Sequence, residues 1–428
     1  MNMTSQLRVD TGLAEARVTA TKKLRAATPQ AGREAILDRE SRLFGYRLVG
    51  RPPATRRTLG KAEGAPPPPQ VIDLSTRLPI DRVVDDRDVC LSVGCNALMD
   101  TAALPVDASR LILEVGSDVP ANAVTCARLA VLHARGCRLA IDAERWSEDW
   151  GRVRQMFDVV RLDGDQLLRA GGSNDLRVLR AHGARLLAYG VETRAQFESL
   201  HALGVDLFQG FFFAHPELAD GGCVGEAAAD FLHLVSRIHA PGIQVPELVA
   251  LISKDVSLSY RLLRFVNSPC SGVLSDVRSV EQAVLLLGLG RIRAWTTLLA
   301  MMGFKDKPLE LCHHALVRAH MCERLARKTV CGDPHEAYTV GLLSVLEALL
   351  DAPMDRVLMD LRLSYQVTIA IARSSGIYGL MLESAVAVEH GDWDEARRVG
   401  VDPEQLAELH ASATLSAFRT MKTLEPMR

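Results

Sequence analysis

The chain predicts two folded units of different class, an α/β unit read as a compact (β/α) barrel and then an all-α helical bundle. Its 428 residues suit two units at roughly 100 to 200 residues each. Short β-prone runs alternate with helical segments as far as about residue 213, and beyond about 226 the apolar residues recur at helical spacing alone. Between the two rhythms lies ADGGCVGE, a joint containing Gly221 and Gly222.

Residues 1–30 mix Thr, Ala, Lys and Arg without a sustained period and are expected to be a variable tail. ILDRE and LFGYRLVG then open a barrel domain expected over 31–222. The stretch RPPATRRTLGKAEGAPPPPQ, residues 51–70, has six prolines, which remove backbone donors and fix φ, so it reads as a solvated Pro/Arg-rich loop. VCLSVG, LILEV, RLAID, VVRLD, RLLAYG and DLFQGFFF follow as strands, and their continuous apolar character suits parallel strands buried on both faces. In ANAVTCARLAVLHARG, Val124, Leu129 and Leu132 fall on one helical face, and Gly136 ends the helix. Seven or eight strands favour a closed, TIM-like barrel over an open sheet, in fewer residues than the roughly 250 usual for one. A helical domain is expected over 224–415, with segments such as FLHLVSRIHA, VPELVALISKD and LVRAHMCERLARKTV, broken near Asn267, Pro269, Gly272, Gly332, Pro334 and Pro353.

With 48% apolar and 24% charged residues, the composition excludes wholesale disorder. A net charge of −2 and a pI near 6.6 supply no global field for nucleic acid or an anionic membrane, and neither is expected as a partner. Arg261 and Arg264 sit among apolar residues in VPELVALISKDVSLSYRLLRFVNSP, so core packing is favoured there over a DNA-reading helix-turn-helix. The nine cysteines are scattered singly without zinc-ligand spacing, as suits small buried hydrophobes in a reducing compartment. No run of about 18 apolar residues occurs, and a cytoplasmic location is expected.

The ordered motifs carry a resemblance. REAILDRESRLFGYRLVGR, AIDAERW, VVRLD and above all YGVETRAQFESLHALGVDLFQGFFFAHP resemble the EAL domain. KDVSLSYRLLRFVNSPCSG, RSVEQAVLLLGLGRIRAW, VRAHMCERLA, VGLLSVLEALL and VAVEHGDWDEA resemble the HDOD domain. The chain therefore resembles bacterial EAL-HDOD signalling proteins, an EAL-like barrel followed by an HDOD-type bundle.

That resemblance implies a two-metal phosphodiesterase site at the carboxyl ends of the barrel strands, where carboxylates and an Asn hold Mg²⁺ or Mn²⁺. Several positions depart from it. The motif Glu is Arg47, the Asn aligns with Gly94 (Asn96 lies two residues on), the second Asp of a pair is Ala143, the Lys of Lys-x-Asp is Arg161, and the Glu before GVET is Tyr189. Glu114, Asp142, Asp163, Glu192 and Gln209 remain. A fixed cation at Arg47 repels a metal. The expectation is a degenerate EAL domain that is not an enzyme, has no cofactor and holds no metal. Asp142 and Asp163 can equally cap helices or pair with Arg47 or Arg161. Arg47, Arg161 and Gln209 are candidates for contacting cyclic di-GMP.

In the helical half, Ser344 and Val345 stand where HD-type phosphohydrolases, by resemblance, carry a His-Asp metal pair. His313, His314 and His320 are expected to be surface or core histidines; Glu323, Glu347 and Glu389 can build a polar cluster, and a buried carboxylate paired with Arg318 or Arg324 for structure is the favoured reading. The functional expectation is a catalytically inactive signalling adaptor acting through contacts with unnamed signalling proteins in second-messenger, stress or motility control, with a homodimer implied by the habit of EAL domains to pair. The alternatives are a cyclic di-GMP receptor without turnover and a residual phosphodiesterase using Glu114, Asp142 and Glu192.

Overall fold

The computed structural model describes residues 31–50, 80, 84, 86–99, 106–171, 175–216 and 226–425. The expected tail, the 51–70 loop and the joint at Gly221 and Gly222 lie outside the described residues. Eight strands close into a barrel in sequence order: β1 (Ala31–Asp38), β2 (Leu43–Gly50), β3 (Asp88–Val93), β4 (Leu111–Val115), β5 (Arg138–Asp142), β6 (Phe157–Asp163), β7 (Arg185–Tyr189) and β8 (Leu207–Gln209). All neighbouring pairs are parallel except those of β1, which runs antiparallel to β2 and β8. The β1–β2 turn is built by Asp38, whose Oδ1 accepts the N–H groups of Glu40 at 3.0 Å and Arg42 at 2.8 Å.

Helices α1 (Cys95–Met99), α2 (Ala123–Ala134), α3 (Gly164–Arg169), α4 (Asp175–Ala181) and α5 (Arg194–Ala202) lie along the barrel sequence. Capping boxes start two of them, Asn122 with Thr125 at α2 and Thr193 with Gln196 at α5. Leu129 and Leu132 of α2 are buried as expected, but Val124 is 67% exposed. It stands in the first turn, on the side of the helix away from those two leucines.

The barrel interior is stacked in two layers, because residues two apart on a strand face the same way. Ile36, Cys90, Ile112, Ala140, Val159, Leu187 and Leu207 form an apolar layer. The register then places Glu34, Arg47, Ser92, Glu114, Asp142, Arg161, Tyr189 and Gln209 in a polar layer above it. Gly210 closes this end: at φ +145° a Cβ would lie 2.1 Å from the Val191 carbonyl oxygen, so the passage of one backbone over the other requires glycine. That crossing explains why the VET and QG motifs occur together.

The helical bundle contains α6 (Glu226–Ile238), α7 (Val245–Ser253), α8 (Val256–Val266), α9 (Val280–Leu287), α10 (Leu289–Met301), α11 (Leu309–Thr329), α12 (Pro334–Leu343), α13 (Leu346–Leu350), α14 (Met354–Met359), α15 (Tyr365–Arg373), α16 (Gly376–Glu389), α17 (Trp393–Ala396) and α18 (Pro403–Leu424). The axis of the bundle is α11, buried from Glu310 to Val317 without interruption, the pattern of a helix surrounded on all sides. In α8, Leu258, Leu262, Phe265 and Val266 are buried and Arg261 donates to the Leu299 carbonyl, so this helix packs into the core. Among the described residues no helix is long and apolar enough to cross a membrane, and all eight described cysteines are free.

The two units touch where the β1–β2 hairpin has no crossover helix of its own. Arg33 and Tyr46 point outward there. Tyr46 donates its hydroxyl to the Glu310 carboxylate at 2.9 Å, and Arg33 donates to Nδ1 of His313 at 2.8 Å. The Arg33 guanidinium also lies 4.4 Å from the Tyr46 ring centre and 4.9 Å from that of Phe418 on α18.

Candidate functional site in the barrel mouth

The polar layer converges on Glu114. This carboxylate is 2% exposed. It accepts two hydrogen bonds from Arg47, at 3.0 and 3.1 Å, in the fork geometry that guanidinium and carboxylate share. Arg161 donates to it as well, and reaches Asp142 at 3.1 Å. Burial works against the charge on Arg47, but Glu114 outweighs it and raises the guanidinium pKa. Asp142 is raised by burial, against the pull of Arg161. The Tyr189 phenol is likewise pushed up by burial, and the Arg161 guanidinium stacks 4.6 Å from the Tyr189 ring centre. Gln209 donates to Glu34. Arg161 Nε and Gln209 Oε1 are buried without a hydrogen-bond partner among the described residues.

The structure therefore gathers Arg47, Glu114, Asp142, Arg161, Tyr189 and Gln209 from the sequence-derived set. The rest lie outside this hydrogen-bonded cluster. Asp163 caps α3 by accepting from the Gln166 N–H at 2.9 Å. Glu192 is exposed beside the start of α5. Gly94 ends β3 with its carbonyl bonded to Leu98, and Ala143 opens the turn after β5. A cavity of about 450 Å³ beside this layer is lined by Asp142, Ala143, Arg161, Asp163 and Tyr189 together with Trp146. Sequence reasoning missed Glu34 and Ser92, which only strand pairing turns inward.

These donors do not fit a divalent cation as they stand. Glu114, the buried carboxylate, is held by two guanidinium groups, and among the described residues no three His, Cys, Asp or Glu side chains gather as a ligand set.

From the mouth a path leads into the bundle. Two residues after Gln209, Phe211 packs at 4.6 Å centre to centre on His390 and 6.0 Å from His314, and Phe213 lies 5.2 Å from His314. His314 stands 3.6 Å from Glu310 and 3.9 Å from Glu389, and Glu389 is paired with Arg318 at 2.8 Å. Burial opposes the ionisation of Glu310, but His313 at 3.4 Å and the charges around it hold the carboxyl down to about 2. The three histidines expected at the surface or in the core divide accordingly: His313 and His314 are buried, and His320 is half-buried. Glu389 takes Arg318 as its partner, as expected. Arg318 also reaches the Ser344 hydroxyl, at 3.4 Å.

A closed barrel with one antiparallel strand is joined to a helical bundle across a buried interface, and a family model matches within each unit. The EAL domain family model matches residues 71–216, and the HDOD domain model matches residues 228–352. The two domains point to cyclic di-GMP signalling. Among curated relatives, the chain is 24% identical over 392 residues to the uncharacterized protein YuxH of Bacillus subtilis (strain 168), covering 89% of this chain and 96% of that protein. It is 30% identical over 266 residues to the cyclic di-GMP phosphodiesterase CdgJ of Vibrio cholerae serotype O1, covering 61% of this chain and 62% of CdgJ. Among solved structures, an EAL domain protein from Listeria monocytogenes EGD-e aligns at 14% identity with a TM-score of 0.34, over 44% of this chain and 88% of that one.

The relation to CdgJ overturns the expectation that the chain is not an enzyme, since that relative is a phosphodiesterase. The expectation rested on the charge of Arg47 together with the departures at Gly94, Ala143, Arg161 and Tyr189. In the folded chain that charge is spent on Glu114 and does not stand bare in the mouth.

Proposed function

We propose that this protein is a cytoplasmic cyclic di-GMP signalling protein in which the barrel mouth takes the dinucleotide and the helical domain passes its state to protein partners. The observation that carries the reading is the convergence of Arg47 and Arg161 on one point of the polar layer, with Arg161 Nε and Gln209 Oε1 left open there. Guanidinium groups recognise phosphate as they do carboxylate, and buried polar atoms seldom stay without a partner. The short route from Gln209 through Phe211 to His314 and His390 supports coupling to the bundle. The free cysteines suit a reducing cytoplasm.

Titration calorimetry with cyclic di-GMP, with and without Mg²⁺ or Mn²⁺, tests this, with the same samples checked for linear product. Micromolar binding that weakens about tenfold or more in Arg161→Gln is expected, the scale of one charged hydrogen bond. Neither heat nor product would refute the reading. Linear product would add turnover to binding and align the chain with the activity for which CdgJ is named.

A further inference from the structure

The cavity of about 450 Å³ beside the barrel mouth contains a cation that the polar layer does not use. Arg154 lines it from the stretch between β5 and β6. This side chain is half-buried, and its guanidinium lies 5.1 Å from the ring centre of Trp146, which lines the same cavity. Its Nε has no hydrogen-bond partner, and among the described residues the group forms no ion pair. Arg145, on the same stretch, differs. It donates to the carbonyls of Val115, at 3.0 Å, of Gly116 and of Val119, and so holds the backbone around it in place. No such work occupies Arg154, and a guanidinium drawn partly out of water without a carboxylate is poised for an acceptor from outside the chain.

The rest of the cavity narrows what that acceptor belongs to. Leu162, Leu167 and Leu179 supply apolar walls, and Trp146 and Tyr189 supply aromatic ones, which suits a flat ring. Asp163 spends Oδ1 on the Gln166 N–H at 2.9 Å and makes no other hydrogen bond among the described residues, so Oδ2 is an open acceptor on the same cavity. Guanine offers O6 and N7 as acceptors to a guanidinium fork and carries N1–H and N2–H donors on the adjoining edge, where a carboxylate can accept them. Adenine puts an amino donor in the place of O6, where the guanidinium would meet a donor. Arg161 and Tyr189 belong both to the polar layer and to this cavity, so a ligand with its phosphates on the mouth arginines has a base within reach of it.

We infer that this side cavity selects the base: one guanine of a cyclic dinucleotide lies in it, with O6 and N7 on Arg154 and its N1–H edge on Asp163. The inference rests on the dinucleotide binding proposed above and adds the residue that chooses the base. Calorimetry of the full chain with cyclic di-GMP and with cyclic di-AMP tests it, in the parent and in Arg154→Gln, Arg154→Lys and Arg161→Gln. The parent should bind cyclic di-GMP about tenfold or more tightly than cyclic di-AMP. Arg154→Gln should erase most of that preference by weakening cyclic di-GMP alone. Arg154→Lys keeps the charge and loses the fork, and should fall between the two. Arg161→Gln should weaken both ligands and leave their ratio. An undiminished ratio in Arg154→Gln, or equal binding of the two ligands by the parent, would overturn the inference and leave dinucleotide binding standing. Binding of neither ligand by the parent would overturn both.

Discussion

Replacing Glu114 by Gln should do more than weaken the barrel; it should make the mouth depend on anions. The substitution keeps the shape and removes the charge that balances two buried guanidinium groups. Breaking a buried ion pair by deleting one partner typically costs about 3–5 kcal/mol, because the other charge is left uncompensated. Arg161 keeps Asp142 at 3.1 Å, which places the cost at the lower end. For a domain of this size each kcal/mol lowers the melting temperature by roughly 2–4 °C, so a loss of about 3 kcal/mol becomes roughly 6–12 °C. Thermal melts followed by circular dichroism measure it. Inorganic phosphate or cyclic di-GMP, added to the variant, should recover part of that loss by taking the place of the missing carboxylate, and should stabilise the parent less. A variant that melts within about 2 °C of the parent and ignores phosphate would show that Glu114 is not what compensates Arg47 and Arg161, and the account of the mouth would fail.

Tyr46→Phe removes the donor to buried Glu310 and should cost about 1.5–3 kcal/mol, with faster amide exchange in β1, β2 and the start of α11; unchanged protection there would sever the proposed link between the units. Gly210→Ala forces a Cβ against the Val191 backbone and should leave little folded protein, which soluble yield and near-ultraviolet dichroism report. Acid should destabilise the bundle earlier than carboxylate titration alone would. Burial holds His239 at about 3 and His410 at about 4, below their ordinary 6.5, so the folded state stays neutral while the unfolded chain takes up protons. Their contribution is complete above about pH 6.5 and falls as the pH drops toward 4, by about 2 kcal/mol apiece at pH 5, and urea midpoints at pH 7 and pH 5 compare the two.

The barrel was legible because its strands are short, apolar and regularly spaced, and because VET and QG sit at two ends of one backbone crossing that only Gly210 permits. The partners inside it were not. Whether Asp163 serves the mouth or a helix start depends on its orientation after β6, and it chose the Gln166 N–H. Glu34 lies on the one antiparallel strand, so its facing follows from pairing with Arg47 and not from any count along its own segment. Charges were readable residue by residue, whereas their compensation was not, which is why Arg47 looked prohibitive until Glu114 was seen to hold it. The Arg33–His313 contact joins residues 280 positions apart, beyond the reach of any periodicity.

The bare hairpin has a consequence for how such a protein can be dissected. A barrel that wrapped every strand in its own helix could be lifted from the chain and studied alone. Here the outer side of Arg33 and Tyr46 is finished by α11 and α18. Cutting between the units would expose a cation and a phenol that have exchanged water for Glu310, His313 and Phe418. The helical domain is thus the missing wall of the barrel as much as its neighbour, and fragments that divide them would describe a different molecule.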